Sequence, residues 1–192
     1  MKRQLTVALG LAVIATPALA TKARMEALGE DNFGSYYIQD NRNIFLNPAR
    51  ITENKDLVTY EFGQNGNGLT AQDSAATPRA GGGFTLSYGN MVYGLHFGDS
   101  SPTTGLLRGL TAAGNELQER QPWDLFIGGD AGVKWGASFT YENFDGGSAA
   151  AGTRFLSDAM KLRGGVLMGD LEAFAHVSLN NKAQDYTGNK VE

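Results

Sequence analysis

A strict alternation of apolar and polar residues between positions 132 and 144 constrains the fold of this chain most. The apolar positions are Val133, Trp135, Ala137, Phe139 and Tyr141, and polar residues or glycine stand between them. Successive side chains of a β-strand point to opposite faces, so this stretch predicts a strand with one apolar and one polar face. One face therefore requires an apolar environment and the other requires water.

The same alternation recurs from about Leu57 onward and predicts seven strands. Most of the chain's 26 glycines lie between or within these stretches. The predicted strands are residues 57–62, 82–88, 91–98, 123–129, 132–144, 159–168 and 171–179. The pattern predicts an all-β fold.

Short and long connections alternate along the predicted strands. Gly89-Asn90 and Gly169-Asp170 suit two-residue hairpins that need a positive φ, and Gly129-Asp130-Ala131 is a three-residue link. All three keep the apolar residues on one continuous face of an antiparallel sheet. The long polar connections are residues 63–81, 99–122 and 145–158. Short turns at one end and long loops at the other are typical of outer-membrane β-barrels.

Aromatic residues on the apolar face gather toward the strand ends, which is typical of the two aromatic girdles of a membrane barrel. In the alternative, a soluble β-sandwich, the same aromatics would pack between two sheets. The residues predicted to face the membrane are Tyr88, Phe97, Trp123, Trp135, Phe139 and Tyr141.

The first twenty residues have the pattern of a secretory signal peptide. Lys2 and Arg3 precede an apolar stretch, and Ala18-Leu19-Ala20 is a small-residue cleavage site. Without the signal, 14 basic residues stand against 20 acidic ones, so a nucleic-acid partner is disfavoured. The absence of cysteine excludes disulfides and thiol chemistry. The predicted organisation is a signal peptide (1–20), an N-terminal periplasmic segment or plug (21–56) and transmembrane barrel strands (57–192).

The N-terminal segment carries a family resemblance. Ala23, Ala27 and Leu28 predict a short helix ended by Gly29. With the stretch Asp40-Asn41-Arg42-Asn43-Ile44-Phe45-Leu46-Asn47-Pro48-Ala49, this start resembles the major outer-membrane proteins of Bdellovibrio-type predatory bacteria. The order of Leu-Gly, Asp and Asn-Pro-Ala is more distantly similar to the start of fatty-acid-transporter-like barrels. Both resemblances imply an outer-membrane barrel, and neither brings a catalytic motif to this chain.

The polar face supplies the candidate functional residues. As a porin-like channel, the barrel would use them to line a water-filled lumen for small solutes. As a structural barrel, it would use the same charges to fill a narrow lumen. A transporter of hydrophobic compounds is a further alternative. The candidate pore-lining residues are Glu61, Lys134, Glu142, Lys161, Arg163, Glu172 and His176.

The sequence contains no constellation of a nucleophile and a base, so we do not predict an enzyme. The two histidines, His96 and His176, are predicted to be structural residues of the polar face, and no metal or other cofactor is predicted. Five apolar residues within residues 99–122 have helical spacing and indicate either a surface helix or a constriction in the pore mouth. They are Leu106, Leu107, Leu110, Ala113 and Leu117.

Seven strands are an odd number, whereas single-chain bacterial barrels have an even number. We therefore expect further strands, or several copies that share one barrel, and leave homo-oligomerisation open. Lys190-Val191-Glu192 has the pattern of the beginning of a strand. The predicted location is the bacterial outer membrane, with its lipid as the partner.

Overall fold

The structure, a computed structural model, describes residues 22–30, 34–63, 79–98, 122–146, 155–184 and 190–191. The predicted signal peptide, most of the long connections and the stretch of helical spacing at Leu106–Leu117 lie outside these ranges. Within the described ranges, every helix is too short or too polar to cross a membrane.

The described strands form one antiparallel sheet in which spatial order follows chain order. The seven predicted strands are confirmed, and Lys190–Val191 forms an eighth. The strands are β1 (Leu57–Gly63), β2 (Arg79–Tyr88), β3 (Met91–Phe97), β4 (Trp123–Asp130), β5 (Lys134–Gly146), β6 (Phe155–Met168), β7 (Leu171–Gln184) and β8 (Lys190–Val191). Among the described residues no pairing joins β1 to β8, so the sheet is open at both edges.

The two predicted two-residue hairpins are confirmed. Tyr88 pairs with Met91 around the first turn, and Met168 pairs with Leu171 around the second. The first turn residue of each hairpin is a glycine with positive φ, 59° at Gly89 and 58° at Gly169. A side chain would be strained in that conformation, so glycine fixes both turns and the registers they set.

The predicted link between β4 and β5 is misplaced by two residues. β4 runs to Asp130 and β5 begins at Lys134, so the connection is Ala131-Gly132-Val133. The link forms there because Gly132 adopts a φ of 87° and its N–H donates to the Asp130 carboxylate at 3.0 Å. The link still has three residues, so the apolar face is unchanged: Leu125 pairs with Phe139.

Several strands extend further toward the long connections than the alternation predicts. β2 begins at Arg79, β6 begins at Phe155 and β7 continues to Gln184. The β6–β7 register shifts between Met160 and Lys161, which is a β-bulge. The bulge explains why the alternation in β7 stops near residue 179 although backbone pairing continues.

The two faces of the sheet have opposite environments. One face, which we call the exposed face, carries the apolar residues of the alternation, and many of its side chains are exposed. Its exposed members are Phe84, Leu86, Tyr88, Tyr93, Phe97, Trp123, Leu125, Ile127, Tyr141, Leu162, Val166, Met168, Leu171, Val177 and Leu179. The opposite face, which we call the covered face, is buried over much of β3 to β6, whereas most of its residues on β7 are exposed. Its buried side chains include Thr85, Val92, His96, Asp124, Phe126, Ser138, Thr140, Glu142, Lys161 and Arg163.

The short helix predicted before Gly29 is confirmed, and residues 34–56 contain no strand. The two helical turns that follow it were not predicted. A short helix α1 (Lys22–Ala27) is followed by two 3-10 helices, η1 (Asn41–Phe45) and η2 (Pro48–Glu53). Asp40 caps η1 by accepting from the N–H of Arg42 at 2.9 Å, and its carboxylate pairs with Arg24 at 2.8 Å. We call residues 41–54 the cover segment, because η2 packs against β3, β4, β5 and β6.

The apolar core lies between the cover segment and the sheet. Ile44, Phe45 and Ile51 of the cover segment pack with Val92 and Phe126 of the covered face. The rings of Phe45 and Phe126 meet edge to face, with centroids 5.6 Å apart. Each such buried side chain contributes about 1.5–3 kcal/mol to stability. The core therefore fixes the cover segment on the face of the sheet that the sequence predicts to be polar.

Candidate functional site

A row of glycines on the covered face forms the seat of the cover segment. Gly128 pairs with Gly136, and Gly136 pairs with Gly165, so the three lie side by side on β4, β5 and β6. A Cβ at Gly136 would overlap the backbone of Pro48 and Ala49. The glycines therefore leave a groove that admits the backbone of the cover segment directly against the sheet.

Asn47 joins the two 3-10 helices over this groove. Its side chain is fully buried and accepts from the N–H of Ala49 at 2.9 Å, which caps η2. The same amide donates to the carbonyl of Val166 at 3.4 Å. A Cβ at Gly165 would overlap the Asn47 side chain. The Asn47-Pro48-Ala49 stretch, part of the family resemblance, thus forms the closest approach of the cover segment to the sheet.

A buried polar row crosses the covered face on the side away from the short turns. His96, Asp124, Thr140 and Lys161 are successive register partners on β3 to β6, and all are buried. Asp124 accepts from the Thr140 hydroxyl at 2.5 Å. The His96 ring meets Phe45 edge to face at 5.4 Å. The ionisable side chains of this row are buried, whereas Leu125 and Ile127 on the opposite face are exposed.

Arg163 connects the buried charges to the cover segment. Its guanidinium is buried, donates to the carbonyl of Phe45 and interacts electrostatically with Asp124. A buried guanidinium needs such partners, because an uncompensated charge inside a protein costs several kcal/mol. Arg163 therefore holds the end of η1 against β6.

Four charged side chains tie the cover segment to the sheet at the end that carries the short turns. Arg50 donates to Glu172 from two nitrogens, at 2.5 Å and 3.2 Å. Arg50 also pairs with Glu53 at 3.2 Å, and Lys134 pairs with Glu53 at 3.0 Å. The hydrogen bond that Arg50 donates to Glu172 raises the pKa of Arg50 above its ordinary value. We call Arg50, Glu53, Lys134 and Glu172 the rim network.

Asp56 fastens the chain between the cover segment and β1. Its carboxylate accepts from the N–H of Ser87 at 2.8 Å and from the Ser87 hydroxyl at 2.7 Å. These two hydrogen bonds lower the pKa of Asp56. Nearby, the Thr85 hydroxyl donates to the carbonyl of Asn54 at 2.5 Å. The end of the cover segment is thus fixed to β2.

The structure brings five of the predicted pore-lining residues into two groups. Glu142, Lys161 and Arg163 are buried on the covered face, and Lys134 and Glu172 belong to the rim network. His176 pairs with Arg163 across β6 and β7 but is exposed, and the Glu61 side chain lies outside the described residues. Ser138, which the alternation places on the polar face, is 3% exposed.

The six residues predicted to face the membrane all lie on the exposed face, with Trp135 and Phe139 half-buried there. Phe97, Trp123 and Tyr141 are register partners on β3, β4 and β5, and the first two rings contact edge to face at 4.8 Å. Tyr88 and Trp135 lie in one row at the opposite end, joined through Met91 and Gly129.

The residues that hold the cover segment were not identified from the sequence. Val92, Phe126 and Phe174 break the polar pattern of the covered face, and this departure was the available signal. Phe174 stacks on Tyr36, with ring centroids 6.2 Å apart. The glycine row was the second signal, since it follows from aligning the strands by their turns. In the part of the chain that the structure describes, no group of three or more His, Asp or Glu is placed to hold a metal ion.

Comparisons of the chain with family models, with curated proteins and with solved structures find no match. The geometry of the two faces and of the cover segment is therefore the basis for a functional proposal.

Proposed function

We propose that this chain forms part of the wall of an outer-membrane β-barrel, whose lumen contains the cover segment as a plug, and that the barrel is a porin-like channel for small solutes. The observation that carries this proposal is the inverted distribution of polarity. Lys161 is 0% exposed on the covered face, while Leu125 is 51% exposed on the opposite face. Water would favour the reverse arrangement, whereas lipid outside a polar lumen favours this one.

The two aromatic rows support a membrane position for the exposed face. Trp and Tyr prefer the boundary between lipid and water, and the Trp123 and Trp135 rows lie at opposite ends of the sheet. The outward residues of β3, β4 and β5 between these rows are apolar or aromatic. They are Tyr93, Leu95, Leu125, Ile127, Ala137 and Phe139.

The open edges also fit a barrel wall. Val58 and Tyr60 of edge strand β1 are 78% and 71% exposed, and they continue the apolar alternation to the edge. Soluble proteins protect such an edge with charges, proline or a bulge. In lipid each unpaired backbone group costs several kcal/mol, so the edges must pair. β1 and β8 run antiparallel, so they can close a barrel directly or through further strands.

A structural barrel with a filled lumen is the second candidate. The burial of Glu142, Lys161 and Arg163 favours it, because these charges face protein and not an open channel. The two candidates share the membrane location and differ in conductance.

Fractionation tests the location that both candidates share. We expect the native protein to sediment with the outer membrane and to migrate faster on gels before boiling than after it, because a closed barrel resists unfolding by detergent. A known soluble periplasmic protein from the same cells is the control for the fractionation. Recovery of the protein as a soluble periplasmic monomer would contradict the proposal.

A further inference from the structure

The rim network connects the cover segment to two strands that are not neighbours in the sheet. Lys134 on β5 and Glu172 on β7 are both register partners of Leu167 on β6. Arg50 and Glu53 reach across this row from η2, so a chain of contacts runs from Glu172 through Arg50 and Glu53 to Lys134. The network therefore clamps one end of η2 over three strands.

The rim network is accessible to solution. Its four side chains are between 20% and 40% exposed, whereas Asn47, Phe45 and Ile51 below it are buried. A polar recess lined by Gln39, Asp170 and the four network residues opens beside it. Ions at the short-turn end can therefore compete for these pairs without entering the core.

The cover segment is attached differently on the side toward β1 and on the side toward β7. Residues 54–56 continue directly into β1 and are tied to β2 through Thr85 and Ser87. On the β5–β7 side, η2 is held by the rim network, by the buried hydrogen bond from Asn47 to Val166 and by the glycine groove. Of these attachments, the rim network is the one that salt can weaken. If η2 moves, we expect it to pivot about its attachment to β1 and β2 and to separate from β5, β6 and β7.

We propose that the rim network is a salt-sensitive latch: its ion pairs hold the cover segment across the lumen, and their opening admits small solutes between the cover segment and β5–β7. This inference rests on the proposed channel function. The bidentate geometry of Arg50 on Glu172 makes this pair the strongest link of the latch. The buried apolar cluster opposes opening, so the closed state predominates while the latch is intact.

Planar-bilayer recordings of the full-length native protein test the latch, with Glu172→Gln as the variant and Asp170→Asn as the matched control. Both changes remove one negative charge from the same rim, but Asp170 is outside the network. We expect Glu172→Gln to raise the open probability about threefold to tenfold at low salt, as loss of a partly exposed ion pair allows. Asp170→Asn leaves the open probability unchanged.

Salt and a double variant make the test specific. The Debye length falls from about 10 Å in 0.1 M KCl to about 3 Å in 1 M KCl. The difference in open probability between Glu172→Gln and the wild type should therefore shrink at the higher concentration. The double variant Arg50→Gln, Glu172→Gln should open no more than the more affected single variant, because both changes remove the same pair.

The possible results distinguish a failure of the latch proposal from a failure of the channel proposal. If wild-type channels conduct and Glu172→Gln changes nothing, or changes no more than Asp170→Asn, the latch is refuted and the channel stands. If neither the wild type nor Glu172→Gln conducts at either salt concentration, both proposals are refuted.

Discussion

Replacement of Gly136 by valine is expected to expel the cover segment from the sheet. A Cβ at Gly136 would overlap the backbone of Pro48 and Ala49, and backbone cannot move aside as a flexible side chain can. Overpacking of this kind costs about 3 kcal/mol, the upper part of the usual range. Because valine itself favours strands, any loss of stability comes from the interface with the cover segment.

Gly164→Val is the matched control for this change. Gly164 precedes Gly165 on β6 and faces the opposite side, where a Cβ would meet nothing within 4 Å. Denaturation midpoints and tryptic cleavage after Arg42 and Arg50 report the result. Gly136→Val should lower the midpoint and expose both arginines, while Gly164→Val should do neither. Equal protection of residues 41–54 in the two variants would show that the groove does not seat the cover segment.

A positive charge at Leu125 is expected to destabilise the folded protein if the exposed face lies in lipid. It should have little effect on stability if that face lies in water. Leu125 is 51% exposed near the middle of β4 on the exposed face. Arginine on the lipid face of a barrel costs about 2–4 kcal/mol near the bilayer midplane and about 0–1 kcal/mol near the interface. Leu125→Arg should therefore greatly reduce the folded fraction in lipid vesicles.

Asn143→Arg provides the comparison near the end of neighbouring strand β5. Asn143 is exposed on the same face of the sheet, beyond the aromatic row that contains Tyr141. Folding titrations with urea in lipid vesicles measure both variants. If Leu125→Arg and Asn143→Arg shift the folding free energy by the same small amount, the exposed face does not lie in lipid.

The strands and their turns could be predicted from sequence because both depend on local chemistry. Alternation fixes which side chains share a face, and Gly89 and Gly169 fix two registers through positive φ. The strand ends at the long connections could not be predicted, because Arg79-Ala80-Gly81 and Asn180-Asn181-Lys182 do not alternate in polarity. Backbone pairing with the neighbouring strands continues through them without that pattern.

Only the sheet residues of the candidate site could be predicted from the sequence, and their partners in the cover segment could not. Lys134 and Glu172 were singled out as polar-face charges, but their partners lie far away in sequence: Glu53 is 81 residues from Lys134, and Arg50 is 122 residues from Glu172. The sequence predicts a plug or mouth segment before the first strand. The position of that segment depends on the groove of Gly128, Gly136 and Gly165, which exists only after the strands are aligned.

The central claim is that the exposed face of the sheet lies in lipid while the covered face lies inside a barrel. Because the chain has no native cysteine, single cysteines on β4 and β5 can carry nitroxide spin labels without background. We predict high accessibility to oxygen and low accessibility to a water-soluble nickel complex at Ala137 and Phe139, in the full-length protein in vesicles. A label at Asp130 should show the opposite ratio. If the nickel complex reaches Ala137 and Phe139 as readily as Asp130, the exposed face is in water and the account is wrong.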